Sequence, residues 1–234
     1  MAKVRFVNAV LATLFVILVP IVLLLTDVQL TAFDRGYYQK EYIKYNIPEH
    51  IGMSMDNLMN LTEQLLEYLD NKRADLDFKV EFMNGTEEFF SPRDKQHMVD
   101  VKNLFVNGRY IRNFAFAYIV LFLIYLYYRK PFNESNRKLA RYGIIISAVG
   151  IIPVIILVIL MSLDFYRYFT IFHEIFFNND LWLLDPAVDR LVNIFPEEFF
   201  TDMAFRIAYY YIAEMAAILL AGLTAVKFVK PASK

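Results

Sequence analysis

The chain has 234 residues, of which 58% are hydrophobic and 17% aromatic, and it contains no cysteine. This composition is too apolar for a soluble domain of this length, and the lack of cysteine excludes disulfides, a thiolate nucleophile and a cysteine-ligated metal. The formal net charge of -1 conceals an uneven distribution of charge along the chain, and this distribution predicts the membrane topology.

The first predicted element is a membrane-spanning helix. An uncharged apolar run extends from Phe6 to Leu25, after the basic residues Lys3 and Arg5. At about 1.5 Å per residue, this run is long enough to cross a hydrocarbon core of about 30 Å. A cleavable signal peptide is the alternative, but the run is long for one and no small-residue cleavage site follows it. Pro20 is expected to kink the helix.

The next segment, residues 27–112, is polar and has no spanning run, so it is predicted to fold outside the membrane. After Ser54, a favourable N-cap, leucines recur at helical spacing and predict an amphipathic helix over about Met55–Lys72. The Asn84-Gly85 pair marks a turn, and the stretches on either side of it are either short strands or simply extended chain.

Three more spans are predicted. The second runs from about Asn113 to Tyr128, and a basic linker connects it to the third, from Tyr142 to Leu163. An aromatic-rich segment, residues 164–206, follows. Pro196 and the two glutamates after it can open a last helix, whose apolar part runs from about Ile207 to Val226.

Lysine and arginine residues indicate on which side of the membrane each segment lies. Ten bases and one acid, Glu134, occur in the N-terminus, the linker between the second and third spans, and the C-terminal tail. These bases are Lys3, Arg5, Arg129, Lys130, Arg137, Lys138, Arg141, Lys227, Lys230 and Lys234. By the positive-inside rule these three segments lie in the cytoplasm, with both termini, and residues 27–112 and 164–206 lie outside.

The predicted fold is an all-α integral membrane protein with four transmembrane helices and an extracytoplasmic cap built from two segments. The first span occupies residues 1–26 and the first cap segment 27–112. The second and third spans, with their linker, occupy residues 113–163. The second cap segment covers residues 164–206, and the last span and tail cover 207–234.

The three histidines are the first candidates for chemistry, because an unperturbed pKa of about 6.5 lets histidine exchange protons near neutral pH. His50, beside Pro48 and Gly52, is predicted to be a solvated loop residue. His173 lies in an aromatic stretch after the third span. The surrounding rings indicate either core packing or an interfacial aromatic belt, but a titratable group in such a wall is costly unless it is paired or used in chemistry.

His97 follows a strong helix start. Ser91 as N-cap and Pro92 at the first helical position fix its phase, which places His97 on the apolar face with Val101. The nearby helix N-terminus favours the neutral imidazole, the form that acts as a base. A buried structural histidine hydrogen-bonded to Asp100 is the alternative reading.

Other sites are less well supported. The serines lack a G-x-S-x-G context, no compact metal-ligand spacing occurs, and no glycine-rich phosphate loop is present. Glu214, within the last span, is either a functional acid or a hydrogen-bonded contact between helices, and the contact is favoured. A proton-coupled transporter is disfavoured because the chain shows no internal repeat.

The segments FSPRDKQHMVDVK and FHEIFFNNDLWLLDPAVDRLVNIFPEEFF, set in a four-span protein, resemble the bacterial lipoprotein intramolecular transacylase family. The resemblance implies a bacterial cell-membrane enzyme that moves the sn-2 acyl chain of a diacylglyceryl group to the α-amino group of the N-terminal cysteine of the same lipoprotein, giving a lyso-form lipoprotein. It implies two catalytic histidines, His97 and His173, with no cofactor and no metal. Supporting or substrate-binding roles are implied for Asp100, Phe172, Phe176, Asn178, Asp180, Trp182, Pro186 and Asp189.

The expected partners are therefore a diacylated membrane lipoprotein and membrane lipids, with no nucleic acid, and the enzyme is expected to be a monomer. His97 is favoured as the base because of the helix start and Asp100. Three alternatives stay open: a lipid or lipoprotein hydrolase that uses water as the nucleophile, a noncatalytic membrane sensor or scaffold, and a metalloenzyme with scattered ligands.

Overall fold

The computed structural model describes residues 2–82, 85–129 and 132–228. The predicted turn residue Asn84 and the counted bases Lys130, Lys230 and Lys234 lie outside the described residues. In chain order the elements are α1 (Ala2–Ala32), α2 (Arg35–Lys44), α3 (Ile47–Ile51), α4 (Met55–Leu69), β1 (Lys79–Phe82), β2 (Gly85–Glu88), α5 (Pro92–Arg129), α6 (Phe132–Leu163), α7 (Phe165–Phe176), α8 (Leu191–Ile194) and α9 (Glu197–Phe228).

The chain forms two compact units. Within its described residues, the first unit comprises the chain up to Val28, residues 109–160 and the chain from Arg206 on. The second unit comprises residues 29–108 and 161–205. Each unit is therefore built from segments that are distant in the sequence.

Helices α1, α5, α6 and α9 are long and apolar enough to cross a membrane, which confirms the four predicted spans. The predicted helix after Ser91 and the predicted second span are one continuous helix of 38 residues, α5. No proline follows Pro92 within this helix, so nothing breaks it at the membrane boundary. Because residues 92–108 belong to the second unit, we place the start of the α5 span at Arg109.

In the first unit, close ring and backbone contacts pack the spanning helices. Phe15 of α1 stacks on Phe122 of α5, with ring centroids 4.6 Å apart. A Cβ atom at Gly150 of α6 would lie 2.6 Å from the Tyr211 hydroxyl of α9, so a larger residue at this position would force the buried Tyr211 side chain to move. Close packing between the helices thus holds the first unit together. Such packing is needed because lipid is as apolar as the helices and supplies no hydrophobic driving force for their association.

In the second unit, α4 carries the buried leucines that its sequence pattern predicts, and the Ser54 side chain caps it by accepting from the Asn57 amide at 3.2 Å. The helix ends at Leu69 instead of the predicted Lys72 because Asn71 adopts a positive φ of 62°. His50, predicted in a loop, lies in the short helix α3 and is exposed.

The two stretches around the predicted turn form a short hairpin. Strands β1 and β2 pair antiparallel, with Lys79 opposite Glu88 and Val80 opposite Glu87. Among the described residues these are the only strands, so the helical fold class holds with this one exception.

Candidate active site

Two of the three histidines meet in the second unit. His97 lies in the second turn of α5 and His173 lies in α7, and each is only 7% exposed. Their ring centroids are 6.0 Å apart, with the ring planes inclined at 35°. The fold thus brings together the two imidazoles that the sequence analysis selected.

The backbone of α7 holds the His173 ring. Its Nδ1 lies 2.7 Å from the carbonyl oxygen of Phe169, one turn earlier. A carbonyl oxygen only accepts hydrogen bonds, so Nδ1 carries the proton of the neutral ring and Nε2 keeps its lone pair. Burial lowers the pKa of His173, and the bond to Phe169 partly offsets this by raising it. Nε2 of His173 is therefore a proton acceptor at neutral pH.

His97 has the opposite arrangement. Its Nδ1 is buried and has no hydrogen-bond partner among the described residues. An unpaired buried N–H is rarer than an unpaired acceptor, so we assign the ring proton to Nε2. Burial, followed by the nearby His173, lowers the pKa of His97 to about 4, against a smaller raising effect of Asp100. His97 is therefore neutral at physiological pH.

An aromatic wall surrounds the histidine pair. Trp182 stacks on His173 with ring centroids 4.9 Å apart and planes at 30°, whereas Phe169 presents its edge at 4.4 Å. Phe177 lies 5.4 Å from the His97 ring and 5.5 Å from the His173 ring, so it contacts both. Such a wall fixes the imidazole orientations and lowers the local dielectric constant, which strengthens polar interactions inside the site.

The loop that carries Trp182 is bonded to the first turns of α5. The Asn179 side-chain amide donates to the Asp100 carboxylate at 2.9 Å, and the backbone carbonyl of Asn179 accepts from Trp182 Nε1 at 2.9 Å. Arg93 donates to the backbone carbonyl of Asp180. The ring stacked on His173 is therefore tied to the helix that carries the other histidine.

A second set of bonds fastens the segment that precedes α8 to the start of α5. Ser91 and Asp94 form a capping box, in which each backbone N–H donates to the other's side chain at 3.0 Å; this confirms Ser91 as the N-cap. The Ser91 hydroxyl also donates to Asp189 at 2.6 Å, and Asp94 accepts from the Arg190 backbone at 3.2 Å. Both carboxylates are buried, so these bonds are shielded from water.

The remaining selected residues lie at the edges of the site. Phe172 contacts the histidine of α7, whereas Phe176 contacts Phe172, and both are exposed. The Pro186 carbonyl accepts from the Asn193 side chain, and both residues line a surface cavity of about 440 Å³ together with His50. Asn178 is exposed, and its side chain makes no hydrogen bond to a described residue.

Asp94 and Asn179 were missed as site residues, whereas Phe169 and Phe177 were recognised among the rings around His173 but were assigned no role. Asp94 follows Ser91 at capping-box spacing, and this signal was readable in the sequence. Asn179 has no signal that separates it from the adjacent polar residues, because its role depends on a contact with a distant helix.

Acidic residues elsewhere form no comparable site. Within the described part of the chain, no three His, Asp or Glu side chains come together as possible metal ligands. Glu214 lies in the first unit near Asp27 of α1, where the two carboxyl groups interact electrostatically.

Four spanning helices and a pair of neutral histidines in an aromatic wall define a multi-pass membrane protein with a candidate acid–base centre. The family model described as lipoprotein intramolecular transacylase Lit matches residues 13–200, and the chain belongs to this family. It is therefore a membrane enzyme of the lipoprotein intramolecular transacylase family.

Individual relatives agree with this membership. An uncharacterized protein of Aquifex aeolicus is 25% identical over 203 residues, which cover 85% of this chain and 87% of the relative. The solved structure of the membrane integral Lit of Bacillus cereus is similar with a TM-score of 0.80 at 22% identity, covering 95% of this chain and 97% of that one. The structure of a histidine-to-arginine variant of the same protein is similar with a TM-score of 0.75 at 22% identity, covering 97% of this chain and 95% of that one. These structures show that the fold is shared.

Proposed function

We propose that this chain moves the sn-2 acyl chain from a diacylglyceryl group to the α-amino group of the N-terminal cysteine of the same membrane lipoprotein, with His97 and His173 as its catalytic residues. Membership in the transacylase family supports the reaction. The residue assignment is carried by one observation: at the paired rings, His173 presents an acceptor nitrogen and His97 is assigned a donor N–H. Transfer from an ester to an amine needs one group of each kind.

In the proposed reaction, the neutral α-amine attacks the carbonyl carbon of the sn-2 ester while Nε2 of His173 takes one amine proton. The Nε2–H of His97 stabilises the negative charge that develops on the carbonyl oxygen. The bond between the acyl carbon and the glyceryl oxygen then breaks, and the His173 imidazolium returns its proton to that oxygen. The products are an amide and a free sn-2 hydroxyl, and no water is consumed.

This assignment reverses the roles that the sequence favoured. A pKa of about 4 makes His97 a weak base, because a neutral imidazole whose protonated form is so acidic takes up few amine protons. His173 is buried as well, but its bond to the Phe169 carbonyl raises its pKa and leaves Nε2 available. Asp100, which was expected to support His97 as the base, accepts a hydrogen bond from Asn179.

The aromatic wall favours transfer over hydrolysis. Ester and amine belong to one substrate molecule, so the site has only to hold them in a near-attack geometry. The rings of Phe169, Phe177 and Trp182 around His173 limit the access of water, which would otherwise compete with the amine. A hydrolase that used the same histidines would release free fatty acid.

Mass spectrometry of a synthetic diacylglyceryl lipopeptide tests the reaction. The purified protein should leave the total mass unchanged and move one acyl chain to the α-amine, as located by fragmentation. His97→Ala and His173→Ala should abolish this movement, whereas His50→Ala, at the exposed third histidine, should retain it. Release of free fatty acid would indicate a hydrolase, and an unchanged peptide beside an active control enzyme would indicate a noncatalytic protein.

Glutamine substitutions test the two roles separately, since a glutamine amide donates hydrogen bonds but does not accept an amine proton. His97→Gln keeps a donor and should retain more activity than His97→Ala. His173→Gln should lose about 10²- to 10⁴-fold, the usual contribution of a general base. The roles would be exchanged if His173→Gln kept activity and His97→Gln did not.

The proposed enzyme acts as a monomer on a diacylated lipoprotein among membrane lipids. Both histidines and their ring contacts come from one copy of the chain, which supports a monomeric site. The bases of the N-terminus and of residues 129–141, most of which lie in the first turns of α6, support a cytoplasmic position for those segments and an external position for residues 27–112 and 164–206.

A further inference from the structure

Helix α7 carries an exposed apolar stripe on a face that does not hold its histidine. Ile171, Phe172, Ile175 and Phe176 recur at a spacing that places them along one side of the helix. Their exposed fractions are 37%, 40%, 71% and 53%, so the protein itself leaves this side largely uncovered. A contiguous apolar surface of this kind usually marks an interaction site.

The other faces of α7 differ from this stripe. Arg167, Thr170 and Glu174 recur at i, i+3 and i+7 and form a polar side with one base and one acid. His173 and Phe169 lie one turn apart on a third side, where the ring bonds back to the helix. The helix therefore separates a histidine side, a polar side and an apolar side.

The connection to the membrane indicates what covers the apolar side. The spanning helix α6 ends at Leu163, and α7 begins at Phe165 after the single residue Asp164. Asp164 caps α7 by accepting from the Arg167 amide at 3.0 Å, so the two helices are distinct elements. Helix α7 thus starts where the chain leaves the bilayer. An amphipathic helix in this position lies in the interfacial plane, with its apolar face about 5–10 Å into the headgroup and acyl boundary.

We propose that the apolar stripe of α7 (Ile171, Phe172, Ile175 and Phe176) docks among the lipid acyl chains at the membrane surface. Two of its four residues are phenylalanine, which is common on the apolar face of interfacial amphipathic helices. Its polar side, with Arg167 and Glu174, faces the headgroups and carries no net charge, so a zwitterionic membrane is a sufficient partner. No anionic lipid is needed for this docking.

This docking deepens the proposed function, on which its consequence rests. Phe172 contacts the ring of His173 at 5.5 Å and the ring of Phe176 at 4.8 Å. It therefore links the lipid-facing side of α7 to the histidine side. The ester end of the substrate's sn-2 acyl chain then reaches His173 along Phe172, while the remainder of that acyl chain stays in lipid. The acyl chain therefore need not cross water.

Fluorescence quenching in reconstituted vesicles tests the docking. Trp182 is the only tryptophan, so Trp182→Phe removes the native signal from the full-length protein. In that background, Ile175→Trp places a probe on the apolar stripe, and Glu174→Trp places a control on the polar side of the same turn. Both positions are exposed, so neither change removes a buried contact, and thermal unfolding checks that each variant folds.

In phosphatidylcholine vesicles with brominated acyl chains, the tryptophan at position 175 should be quenched several times more strongly than the one at 174. Aqueous acrylamide should give the reverse order. Equal quenching of both probes by acrylamide would show that the stripe faces water and would overturn the docking. A blue-shifted probe at 175 that neither reagent quenches would also overturn it, because a second copy or another protein would then cover the stripe.

The measurement reports position and not turnover. If the acyl transfer failed but quenching followed the expected order, the docking would stand without its catalytic consequence. If quenching failed while the lipopeptide was still converted, the proposed function would stand and the docking would be rejected.

Discussion

The Asn179 amide donates a 2.9 Å hydrogen bond to the Asp100 carboxylate, joining α7's following loop to α5 across 79 residues of sequence. The backbone carbonyl of the same asparagine accepts from Nε1 of Trp182, which stacks on His173. One residue therefore connects the helix that carries His97 to the ring that faces His173. We infer that Asn179 is a positioning residue, acting on the histidine pair through Trp182.

Asn179→Ala should lower turnover, because the Trp182 ring loses the anchored loop that holds it against His173. The bond is exposed, so its loss should cost only about 1 kcal/mol of stability. Towards acid, the pH–rate profile should first decline as the α-amine of the substrate becomes protonated, at about pH 8, and decline again at lower pH as His173 becomes protonated. The second decline should shift in Asn179→Ala, and this shift separates a positioning role from a merely structural one. The measurement is turnover of the lipopeptide across pH, together with the Tm.

Asn178→Ala is the matched control, because this neighbouring amide makes no hydrogen bond to a described residue. It should leave the turnover, profile and Tm close to those of the wild type. Equal effects of both variants would contradict the role assigned to Asn179 and restore the supporting role that the sequence implied for Asn178.

The fold shows where sequence reasoning succeeds and where it does not. The spans follow from long apolar runs, and the start of α4 follows from Ser54, because both signals are local. Helix α2 was missed because its burial depends on distant contacts: the Tyr37 hydroxyl donates to the Phe199 carbonyl, 162 residues away. The sequence of Arg35–Lys44 does not indicate that Phe199 will be its partner.

The candidate site divides in the same way. The histidines could be selected because they are rare and because Ser91 fixes the phase of α5. Their roles could not be assigned from the sequence, since these depend on the Phe169 carbonyl beside His173 and on the absence of any described partner at Nδ1 of His97. Helical spacing predicts which side chains share a face, but hydrogen bonds decide which nitrogen carries the proton.

Asp94→Ala should destabilise the second unit. One carboxylate oxygen accepts from the backbone N–H groups of both Ser91 and Arg190, and each would lose its partner at a cost of about 1 kcal/mol or more. Asp94→Asn keeps an oxygen acceptor and should cost less. The Tm of each variant measures the difference.

Asp56→Ala is the control for this comparison, because Asp56 also lies in the first turn of a helix but is exposed. It should change the Tm little. If Asp94→Asn were as destabilising as Asp94→Ala, the hydrogen bonds that Asp94 accepts from the backbone N–H groups of Ser91 and Arg190 would not be the source of its stabilising effect.

Acid should destabilise the protein partly through His97. Its folded pKa of about 4 lies below the ordinary value of 6.5, so between these pH values the unfolded chain binds a proton that the folded chain does not. The free energy of unfolding therefore falls as the pH falls from 6.5 towards 4, by up to about 3 kcal/mol. Above pH 6.5 both states are neutral and this effect vanishes.

Thermal unfolding in detergent at a series of pH values measures this dependence. His97→Gln does not titrate, so its Tm should fall less than that of the wild type between pH 6.5 and pH 4.5. His50→Gln replaces an exposed histidine and should keep the wild-type slope. A wild-type slope in His97→Gln would show that His97 is not held neutral by burial.

Single cysteines should reveal the orientation of the chain, because it has no cysteine of its own and each introduced thiol is unique. Asn60 in α4 and Asn133 in α6 are both exposed, so cysteine at either position should leave the fold intact. Residues 27–112 carry mixed charge, whereas the segment around Asn133 is basic and should remain in the cytoplasm. A membrane-impermeant maleimide should therefore label Asn60→Cys in intact cells and Asn133→Cys only after permeabilisation. The reverse pattern would place the histidine-bearing unit in the cytoplasm and contradict its access to lipoproteins on the outer surface.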